Sequence, residues 1–277
     1  MTIDEFIKNA VAEDLGDGDH TSDACVPEDA VNRAKIYAKE DGIVAGTGIA
    51  EQVFYHMDSN QQVEIKIADG EPVKNGDIIM VISGNARGIL KSERLALNCM
   101  QRMSGIATLT RKVVDTLAGT GTRVLDTRKT TPGIRFMEKM AVQIGGGINH
   151  RFGLYDMMMI KDNHIDYAGS IEKAIIQCDE YRRSHQLKIK LEVEARNLKE
   201  VERILQVGRV DRIMLDNFSH DDLRKAVQMI PDTYQTEASG NITLNTARSY
   251  AECGVDFVSM GALTHSVKSL DISLKAF

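Results

Sequence analysis

The chain has 277 residues, with 34 Lys and Arg against 40 Asp and Glu and a formal net charge of −6. Its length fits one large domain or two unequal ones, with ample chain for a hydrophobic core. The acidic balance argues against a nucleic-acid-binding surface and against docking on anionic lipid, because both need a basic face. The longest apolar runs, such as 78–82 and 157–160, have only strand length, so no membrane span is predicted.

Two further features indicate a reducing compartment. The four cysteines, Cys25, Cys99, Cys178 and Cys253, form no CxxC pair and no regular spacing, which is typical of reduced and mostly buried thiols. The first ten residues carry neither the basic nor the apolar segment of a secretory signal. We therefore expect a cytoplasmic protein that binds neither nucleic acid nor membrane.

The amino-terminal third begins with a helical pattern and continues with strands. Residues 3–12 predict a short amphipathic helix with its apolar residues on one side. Between about 30 and 90, short alternating segments are bounded by Gly and separated by Asp-Gly and Asn-Gly turn signals. This pattern predicts a small α+β or mostly β unit. A long amphipathic helix then begins at Ser92, and Gly119 and Gly121 end it.

The rest of the chain alternates strand and helix signals. The predicted strands have the sequences VLDT, MMMI, KIKLEVE, RIMLD, TYQTE and DFVSM. Amphipathic helical stretches lie near 134–144, 169–184, 197–207, 220–229 and 243–252. Such alternation predicts parallel strands joined by right-handed crossovers. With at least six units and no Gly-rich nucleotide fingerprint after the first strand, a (β/α) barrel is favoured over a doubly wound sheet.

Polar or small residues follow almost every one of these strands. VLDT runs into RKTTPG, MMMI into KDNH, RIML into DN, TYQT into EASG and DFVSM into GA. The reactive groups of a barrel collect where its strands end, because the loops there form the mouth. One such ending is ordinary in a surface loop, whereas five in register indicate a site.

The segment KIKLEVE separates charged from apolar residues with a period of two. Lys188, Lys190, Glu192 and Glu194 share one face, and the aliphatic residues share the other. Because the apolar face should meet the helices, the charged face is predicted to point into the barrel, with Glu194 at the mouth. The alternative is an edge strand with a solvated face.

A basic segment stands out in this acidic chain. Its cations and histidines are Arg123, Arg128, Lys129, Arg135, Lys139, His150, Arg151, Lys161 and His164. Arg offers a planar fork to a carboxylate and Lys a point charge to phosphate, so the segment is suited to a small polyanion. Asp216 with Glu194 offers the opposite chemistry, namely two carboxylates suited to ribose hydroxyls or to a hydrated Mg²⁺.

These residues lie in segments that closely resemble the quinolinate phosphoribosyltransferase family. The matching segments are EDLGDGDHTSDA, ERLALNCMQRMSGIAT, LDTRKTTPGIR, GGGINHRFGLYDMMMIKDNH, LEVEA, IMLDNF, EASGNI and VSMGALTHS. They cover nearly the whole chain in order, and TRKTTPG with HR and IKDNH is a specific combination. One departure is Asn241, where many relatives carry a second Gly, and it puts one backbone contact to phosphate in question.

The resemblance implies an α/β fold: an open or incomplete (β/α) barrel with a smaller amino-terminal α+β, sandwich-like domain. The expected boundaries are 1–110 for the smaller domain, with 266–277 packing on it, and 111–265 for the barrel. It also implies a homodimer with shared active sites, or a hexamer. On the predicted long helix, Arg102 lies away from the apolar stripe and can reach outward, which agrees with shared sites.

The resemblance further implies a reaction. The family joins 5-phosphoribosyl diphosphate and quinolinate, with decarboxylation, to give nicotinate mononucleotide, diphosphate and CO₂ in NAD biosynthesis, with Mg²⁺ as cofactor. The residues implied around quinolinate are Arg102, Arg128, His150, Arg151 and Lys161. Those implied around phosphoribosyl diphosphate are Lys129, Glu194, Asp216, Ser239, Gly240, Asn241, Gly261 and His265. The catalytic roles fall to Glu194, Asp216, Lys129 and Lys161, and the first two are also the metal ligands, directly or through water.

Three alternatives remain at this point. A paralogous transferase of molybdenum transport operons would share the fold but act on another substrate. A nicotinate phosphoribosyltransferase would share the barrel but need fewer cations, since its acceptor has one carboxylate. A non-catalytic anion-binding barrel would bind the ligands without releasing diphosphate.

Overall fold

The computed structural model describes residues 2–277, which form two compact units. The first contains the chain up to Arg111, together with Thr130–Gly146 and Leu263–Phe277. The second contains Lys112–Lys129 and Gly147–Ala262. Among the described residues, none of the helices has the length and apolar character needed to cross a bilayer.

The elements are numbered in chain order. The first part of the chain forms α1 (Ile3–Leu15), α2 (His20–Cys25), β1 (Val31–Ala38), β2 (Gly42–Ile43), α3 (Thr47–Met57), β3 (Gln62–Ile65), β4 (Pro72–Val73), β5 (Ile78–Asn85) and α4 (Ala86–Thr116). The second part forms β6 (Arg123–Leu125), α5 (Arg135–Ile144), β7 (Met157–Ile160), α6 (Asp162–Ala168), α7 (Ile171–Ser184), β8 (Lys190–Ala195), α8 (Leu198–Val207), β9 (Arg212–Asp216), α9 (His220–Met229), β10 (Gln235–Ser239), α10 (Ala247–Ala251), β11 (Phe257–Ser259), α11 (Ala262–His265) and β12 (Ile272–Ala276).

The first unit is built on a four-stranded antiparallel sheet in the order β12-β1-β5-β3. The carboxy-terminal strand β12 pairs with β1, so the last residues of the chain complete the sheet of the first unit. Alternate residues of β1 are buried, as expected where one face of an antiparallel strand meets the core. The core also takes Phe54 from α3 and Met100 from α4.

Four elements of this unit differ from the sequence-based prediction. The short helix α2 was not predicted, and neither was α3, because the region from 30 to 90 has the pattern of strands and turns. The long helix begins at Ala86 rather than Ser92, because the Asn85 side chain accepts the Gly88 N–H at 3.0 Å and so caps the helix there. The first helix extends to Leu15, three residues beyond the predicted end.

The unit boundaries also differ from the expected ones. Residues 130–146 belong to the first unit rather than to the barrel. Two contacts explain this grouping. The buried Glu138 carboxylate lies 2.6 Å from Arg102 of α4. Gly145 packs so tightly on the same helix that a Cβ added to it would lie 2.6 Å from the Ala107 carbonyl oxygen.

The second unit is an α/β unit with a six-stranded parallel sheet in the order β6-β11-β10-β9-β8-β7. All six strands lie at the predicted sequences, and helices alternate with them as predicted. Within residues 2–277 the edge strands β6 and β7 do not pair with each other, so the barrel is open, as the family resemblance implied. A single parallel bridge joins Leu125 to Ile148 beside the β6 edge.

Strand β8 confirms the charged-face prediction in part. It lies between β7 and β9 and is buried from Leu191 to Ala195, so the alternative of a solvated edge strand is wrong. Glu192 is fully buried, and Lys190 donates to the Gln235 side chain of β10 at 3.1 Å. Lys188 precedes the strand and is exposed.

Candidate active site

The predicted carboxylates stand at one edge of the parallel sheet. Glu194 is the penultimate residue of β8, Asp216 the last of β9 and Ser239 the last of β10. The register pairs Ser239 with Asp216, and the parallel direction of the strands brings their carboxyl ends to the same edge. Lys161 follows β7 directly, and Gly261 follows β11 after one residue.

Lys161 and Glu194 form an ion pair at this edge. The Lys161 Nζ lies 3.0 Å from the Glu194 Oε2, and the Glu194 side chain is only 10% exposed while Lys161 is about half exposed. The main-chain N–H of Lys161 donates to His164 Nδ1 at 2.9 Å, which fixes the turn from β7 into α6. One sequence-predicted cation and one sequence-predicted carboxylate therefore meet, although they are 33 residues apart in the chain.

The ends of β9 and β10 form a tight corner. The Asn217 side chain donates to Asp216 Oδ2 at 2.6 Å and accepts from Asn241 Nδ2 at 3.4 Å. Asn217, Gly240 and Asn241 all have positive φ angles, of 55°, 105° and 51°. A Cβ on Gly240 would lie 2.2 Å from Asn217 Oδ1, so only glycine fits there. Asn241, which departs from the family pattern, thus holds a left-handed backbone that Asn tolerates better than most residues.

His150 is buried, and its ring nitrogens face protein atoms. Nε2 lies 3.0 Å from Glu192 and 3.4 Å from Glu237, while Nδ1 accepts the Arg151 N–H at 2.6 Å. The main-chain N–H of His150 donates to Asp126 Oδ1 at 2.8 Å. Burial alone would lower the pKa of His150, but the two carboxylates raise it to about 9. The neutral ring accepts the Arg151 N–H at Nδ1, whereas the protonated ring carries its second proton there and has no lone pair left to accept that bond.

Arg151 follows His150 in the chain, and its side chain reaches the start of β7. Its guanidinium donates to the Met157 carbonyl at 3.1 Å, and the residue is 9% exposed. Burial lowers the pKa of Arg151, and the positive charge of Arg128 lowers it further. The two guanidinium groups therefore repel each other, and an anionic ligand between them would relieve this repulsion.

A layer of buried charges lies beneath these residues, and sequence reasoning recognised little of it. Arg212 of β9 lies 2.9 Å from Glu237 of β10, and both side chains are almost fully buried. Burial and the neighbouring Glu237 raise the pKa of Glu192. A signal for this layer existed in the sequence, because the period-two argument applied to KIKLEVE also applies to Gln235 and Glu237 in TYQTE.

Two predicted site residues, Arg102 and His265, belong to the first unit. Arg102 of α4 is held by Glu138, at 2.6 and 3.0 Å, and donates to the Thr264 carbonyl at 2.5 Å. Glu138 also accepts from the main chain and hydroxyl of Thr131. His265 ends α11, and its Nδ1 lies 2.6 Å from the Ser266 hydroxyl. Sequence reasoning missed Glu138 because its partner Arg102 is 36 residues away.

The donor set at the edge of the parallel sheet fits Mg²⁺ in its chemistry. Glu194 and Asp216 provide carboxylate oxygens, which this ion prefers. Both carboxylates have one neighbouring donor, Lys161 and Asn217 respectively, so each is already oriented. Lys129 lies in the loop after β6, where its N–H donates to Thr127.

Two family models match the chain. The one described as quinolinate phosphoribosyl transferase, C-terminal domain, matches residues 106–275, and the corresponding N-terminal domain matches residues 19–104.

Relatives agree with these models over almost the full length. The chloroplastic nicotinate-nucleotide pyrophosphorylase (carboxylating) of Arabidopsis thaliana is 49% identical over 97% of this chain and 81% of its own length. The probable nicotinate-nucleotide pyrophosphorylase (carboxylating) of Bacillus subtilis (strain 168) is 42% identical over 99% of this chain and 93% of its own. The crystal structure of NadC from Streptococcus pyogenes superposes with a TM-score of 0.93 at 40% identity, covering 99% of this chain and 95% of that one.

Proposed function

The chain belongs to the quinolinate phosphoribosyltransferase family, and from this premise we propose how its residues carry out the reaction. The protein is a decarboxylating pentosyltransferase of NAD biosynthesis. It transfers the phosphoribosyl group of 5-phosphoribosyl diphosphate to quinolinate and releases nicotinate mononucleotide, diphosphate and CO₂.

The Lys161–Glu194 pair is the observation that best supports this chemistry at the edge of the parallel sheet. A nearly buried carboxylate next to a half-exposed ammonium offers opposite charges within 3.0 Å. The ammonium suits a substrate carboxylate, and the carboxylate suits a ribose carbon that becomes positive in the transition state. Both needs arise together when an anionic pyridine attacks a ribosyl centre.

Quinolinate binds to a set of cations. We assign its two carboxylates to Arg102, Arg128, Arg151 and Lys161, with His150 beside them. The mutual repulsion of Arg128 and Arg151 supports this assignment, because two bound carboxylates would relieve it. Quinolinate has two such groups and nicotinate has one, so this set favours the dicarboxylate.

Phosphoribosyl diphosphate binds at the ends of β8 to β11 and in the loop after β6. Glu194 and Asp216 orient the ribose hydroxyls. Lys129 and His265 supply positive charge to the phosphates. The small or tightly turned residues Ser239, Gly240, Asn241 and Gly261 let phosphate oxygens approach the main chain.

Mg²⁺, held by Glu194 and Asp216 directly or through water, would neutralise negative charge on the diphosphate. The remaining chemistry is done by the chain. The bond from ribose C1 to the diphosphate oxygen breaks and its electron pair leaves with diphosphate, while the pyridine nitrogen forms the new bond to C1. Glu194 and Asp216 stabilise the positive charge on the ribose during this exchange.

Decarboxylation follows because the ring nitrogen is now quaternary. The carboxylate next to it leaves as CO₂, the electron pair stays on the ring carbon, and a proton from water completes the product. The neighbouring positive nitrogen stabilises the transient carbanion. Arg128 and Arg151 hold the other carboxylate and keep the ring in place.

The proposed homodimer, or hexamer of such dimers, shares its active sites through Arg102. Its test is complementation between two inactive variants, Arg102→Ala and Glu194→Gln. In a mixed dimer with shared sites, one site receives an intact Arg102 from one chain and an intact Glu194 from the other. Random mixing by reversible denaturation should then restore about a quarter of the wild-type sites. If mixing restores nothing, each chain has its own complete site.

The proposed location is the cytoplasm. All four cysteines are unpaired, which fits a reducing compartment.

One assay tests the function itself. Purified protein is mixed with Mg²⁺, phosphoribosyl diphosphate and either quinolinate or nicotinate, and nicotinate mononucleotide, diphosphate and CO₂ are measured. We expect equal amounts of all three products with quinolinate and little product with nicotinate. Product from nicotinate alone, or ligand binding without diphosphate release, would assign the chain to another function.

A further inference from the structure

The Glu138 carboxylate is fully buried in the first unit and has hydrogen-bond donors from two other segments of that unit. On α4, Arg102 donates to Oε1 through Nε at 3.0 Å and through Nη2 at 2.6 Å. From the loop before α5, the Thr131 hydroxyl donates to Oε1 at 2.8 Å and the Thr131 main-chain N–H donates to Oε2 at 3.0 Å. Glu138 therefore fixes the Arg102 side chain and the loop at Thr131 with respect to each other.

Glu138 occupies one edge of the Arg102 guanidinium. That edge consists of Nε and Nη2, and Nη2 also donates to the Thr264 carbonyl at 2.5 Å. Within residues 2–277 the third nitrogen, Nη1, makes no hydrogen bond. Because each terminal nitrogen of Arg carries two N–H groups, Arg102 keeps two donors for a ligand while its orientation is already set.

Arg102 is the member of this pair that a ligand can reach. Its side chain is 25% exposed, whereas that of Glu138 is not exposed at all. A cavity of about 360 Å³ lies between α1, α4 and α5 within the first unit, and Arg102 lines it together with Asn98 of α4 and Met137 of α5. A buried carboxylate thus holds a cation that borders open space.

We infer that Glu138 is a positioning residue for quinolinate: by holding the Nε–Nη2 edge of Arg102, it presents Nη1 to a substrate carboxylate. This inference rests on the proposed function, which makes quinolinate a ligand of Arg102. A free Arg side chain loses conformational freedom when it binds a ligand, whereas a side chain that is fixed beforehand has already lost that freedom on folding. Glu138 itself does not touch the substrate.

The alternative is that the pair only ties α5 to α4. Asp179 on α7 shows what such a tie looks like, since its fully buried carboxylate contacts Arg182 and Arg183. Arg182 also contacts Asp211, which directly precedes β9, so this cluster lies at the opposite end of the strand from Asp216. A tie should contribute to stability alone, whereas a positioning residue should also contribute to the binding of one substrate.

The first experiment is the substitution Glu138→Gln, which keeps the shape of the side chain and removes its charge. We expect the quinolinate KM and the quinolinate dissociation constant from calorimetry to rise about tenfold, with kcat and the phosphoribosyl diphosphate KM within about twofold of wild type. Glu138→Asp, which keeps the charge on a shorter side chain, should recover part of the quinolinate affinity. An unchanged quinolinate KM, or an equal rise in both KM values, would overturn the inference.

The second experiment asks whether Glu138 acts through Arg102. In the Arg102→Ala background there is no guanidinium to position, so adding Glu138→Gln should change the quinolinate KM by less than about twofold. The double variant also lacks the buried charge that Arg102→Ala leaves without its partner, so it should melt at a higher temperature than Arg102→Ala. It therefore keeps the test available where Glu138→Gln alone does not fold. A further tenfold rise, of about the size expected for Glu138→Gln alone, would show that Glu138 acts by another route.

Asp179→Asn is the matched structural control, because it too removes the charge of a fully buried carboxylate that is paired with Arg. This variant should lower the melting temperature and leave both KM values unchanged. If Glu138→Gln does the same, Glu138 only ties two helices together and the inference is wrong.

Binding by the wild-type protein distinguishes this inference from its premise. Wild-type protein that binds quinolinate in calorimetry but forms no nicotinate mononucleotide would overturn the proposed function, while the dissociation constant of Glu138→Gln would still decide the positioning role. Wild-type protein that does not bind quinolinate would overturn both.

Discussion

In the antiparallel sheet of the first unit, the buried side chains of β1 and β5 are aliphatic or methionine, among them Ile36, Met80 and Ile82. The parallel sheet of the second unit also buries aliphatic residues, but its middle strands bury Glu192, Arg212 and Glu237 beside them. Apolar burial stabilises a fold almost regardless of detailed geometry. Buried ions give little net stability, but they require defined partners at defined distances. Both sheets are thus stabilised by apolar burial, and the parallel sheet in addition fixes the positions of charged side chains.

The largest effect should come from a large-to-small substitution in the apolar core of the first unit. Phe54 on α3 is fully buried in the core of the first unit, so Phe54→Ala should lower the free energy of unfolding by about 3–5 kcal/mol. Urea unfolding measures this, and Tyr55→Ala, at an exposed neighbour, should change it by less than about 1 kcal/mol. Both KM values of the surviving folded enzyme should stay unchanged. A selective rise in the quinolinate KM would mean that the first unit orients substrate through its core.

The second-largest effect should be a loss of stability at alkaline pH, which comes from the buried charges of the parallel sheet. The pKa of His150 is raised to about 9 from an ordinary value near 6.5, so its contribution to stability is complete below pH 6.5 and is lost as pH rises through 9. The difference corresponds to about 3 kcal/mol. The raised pKa of Glu192 acts in the same direction. Melting temperatures at pH 6.5 and 9.5 should therefore fall more for wild type than for His150→Gln, and equal falls would remove His150 from the pH dependence.

A third effect concerns turnover rather than stability. Glu194→Gln leaves Lys161 without its carboxylate and removes negative charge from the proposed ribose site. We expect kcat to fall about 100-fold and both KM values to stay within about threefold. Glu172→Gln, which breaks a partly exposed pair with Arg203 in the same unit, is the control and should leave kcat unchanged. Steady-state kinetics decides, and an unaltered turnover would exclude Glu194 from the ribose site.

The features that the sequence predicted are those that depend on local periodicity. The six parallel strands and the positions of Glu194, Asp216 and Ser239 at their ends were predictable, because period and strand polarity are local properties that topology then brings to one edge. The helix α3 was not predicted although Ile49, Ala50, Val53 and Phe54 have helical spacing, because strand and turn patterns lie on both sides of this short segment.

Local sequence patterns do not predict which residues contact the predicted site residues. His150 meets Glu192 and Glu237 across 42 and 87 residues of chain, and neither spacing is a motif. Glu138 and Arg102 form their ion pair only after residues 130–146 fold back onto α4. Long-range ion pairs of this kind depend on crossover geometry, which amphipathic patterns do not encode.

The smallest effect should appear at the corner between β9 and β10, which is shaped by left-handed backbone angles rather than by ion pairs. Asn241→Gly removes a 3.4 Å contact to Asn217 and places at φ 51° a residue that adopts this angle without strain. The two effects oppose each other, so the phosphoribosyl diphosphate KM should stay within about twofold and the stability within about 0.5 kcal/mol. Gly240→Ala, by contrast, would force a Cβ to within 2.2 Å of Asn217 and should raise that KM sharply. A large loss in Asn241→Gly would show that its side chain, not the left-handed turn, carries the phosphate contact.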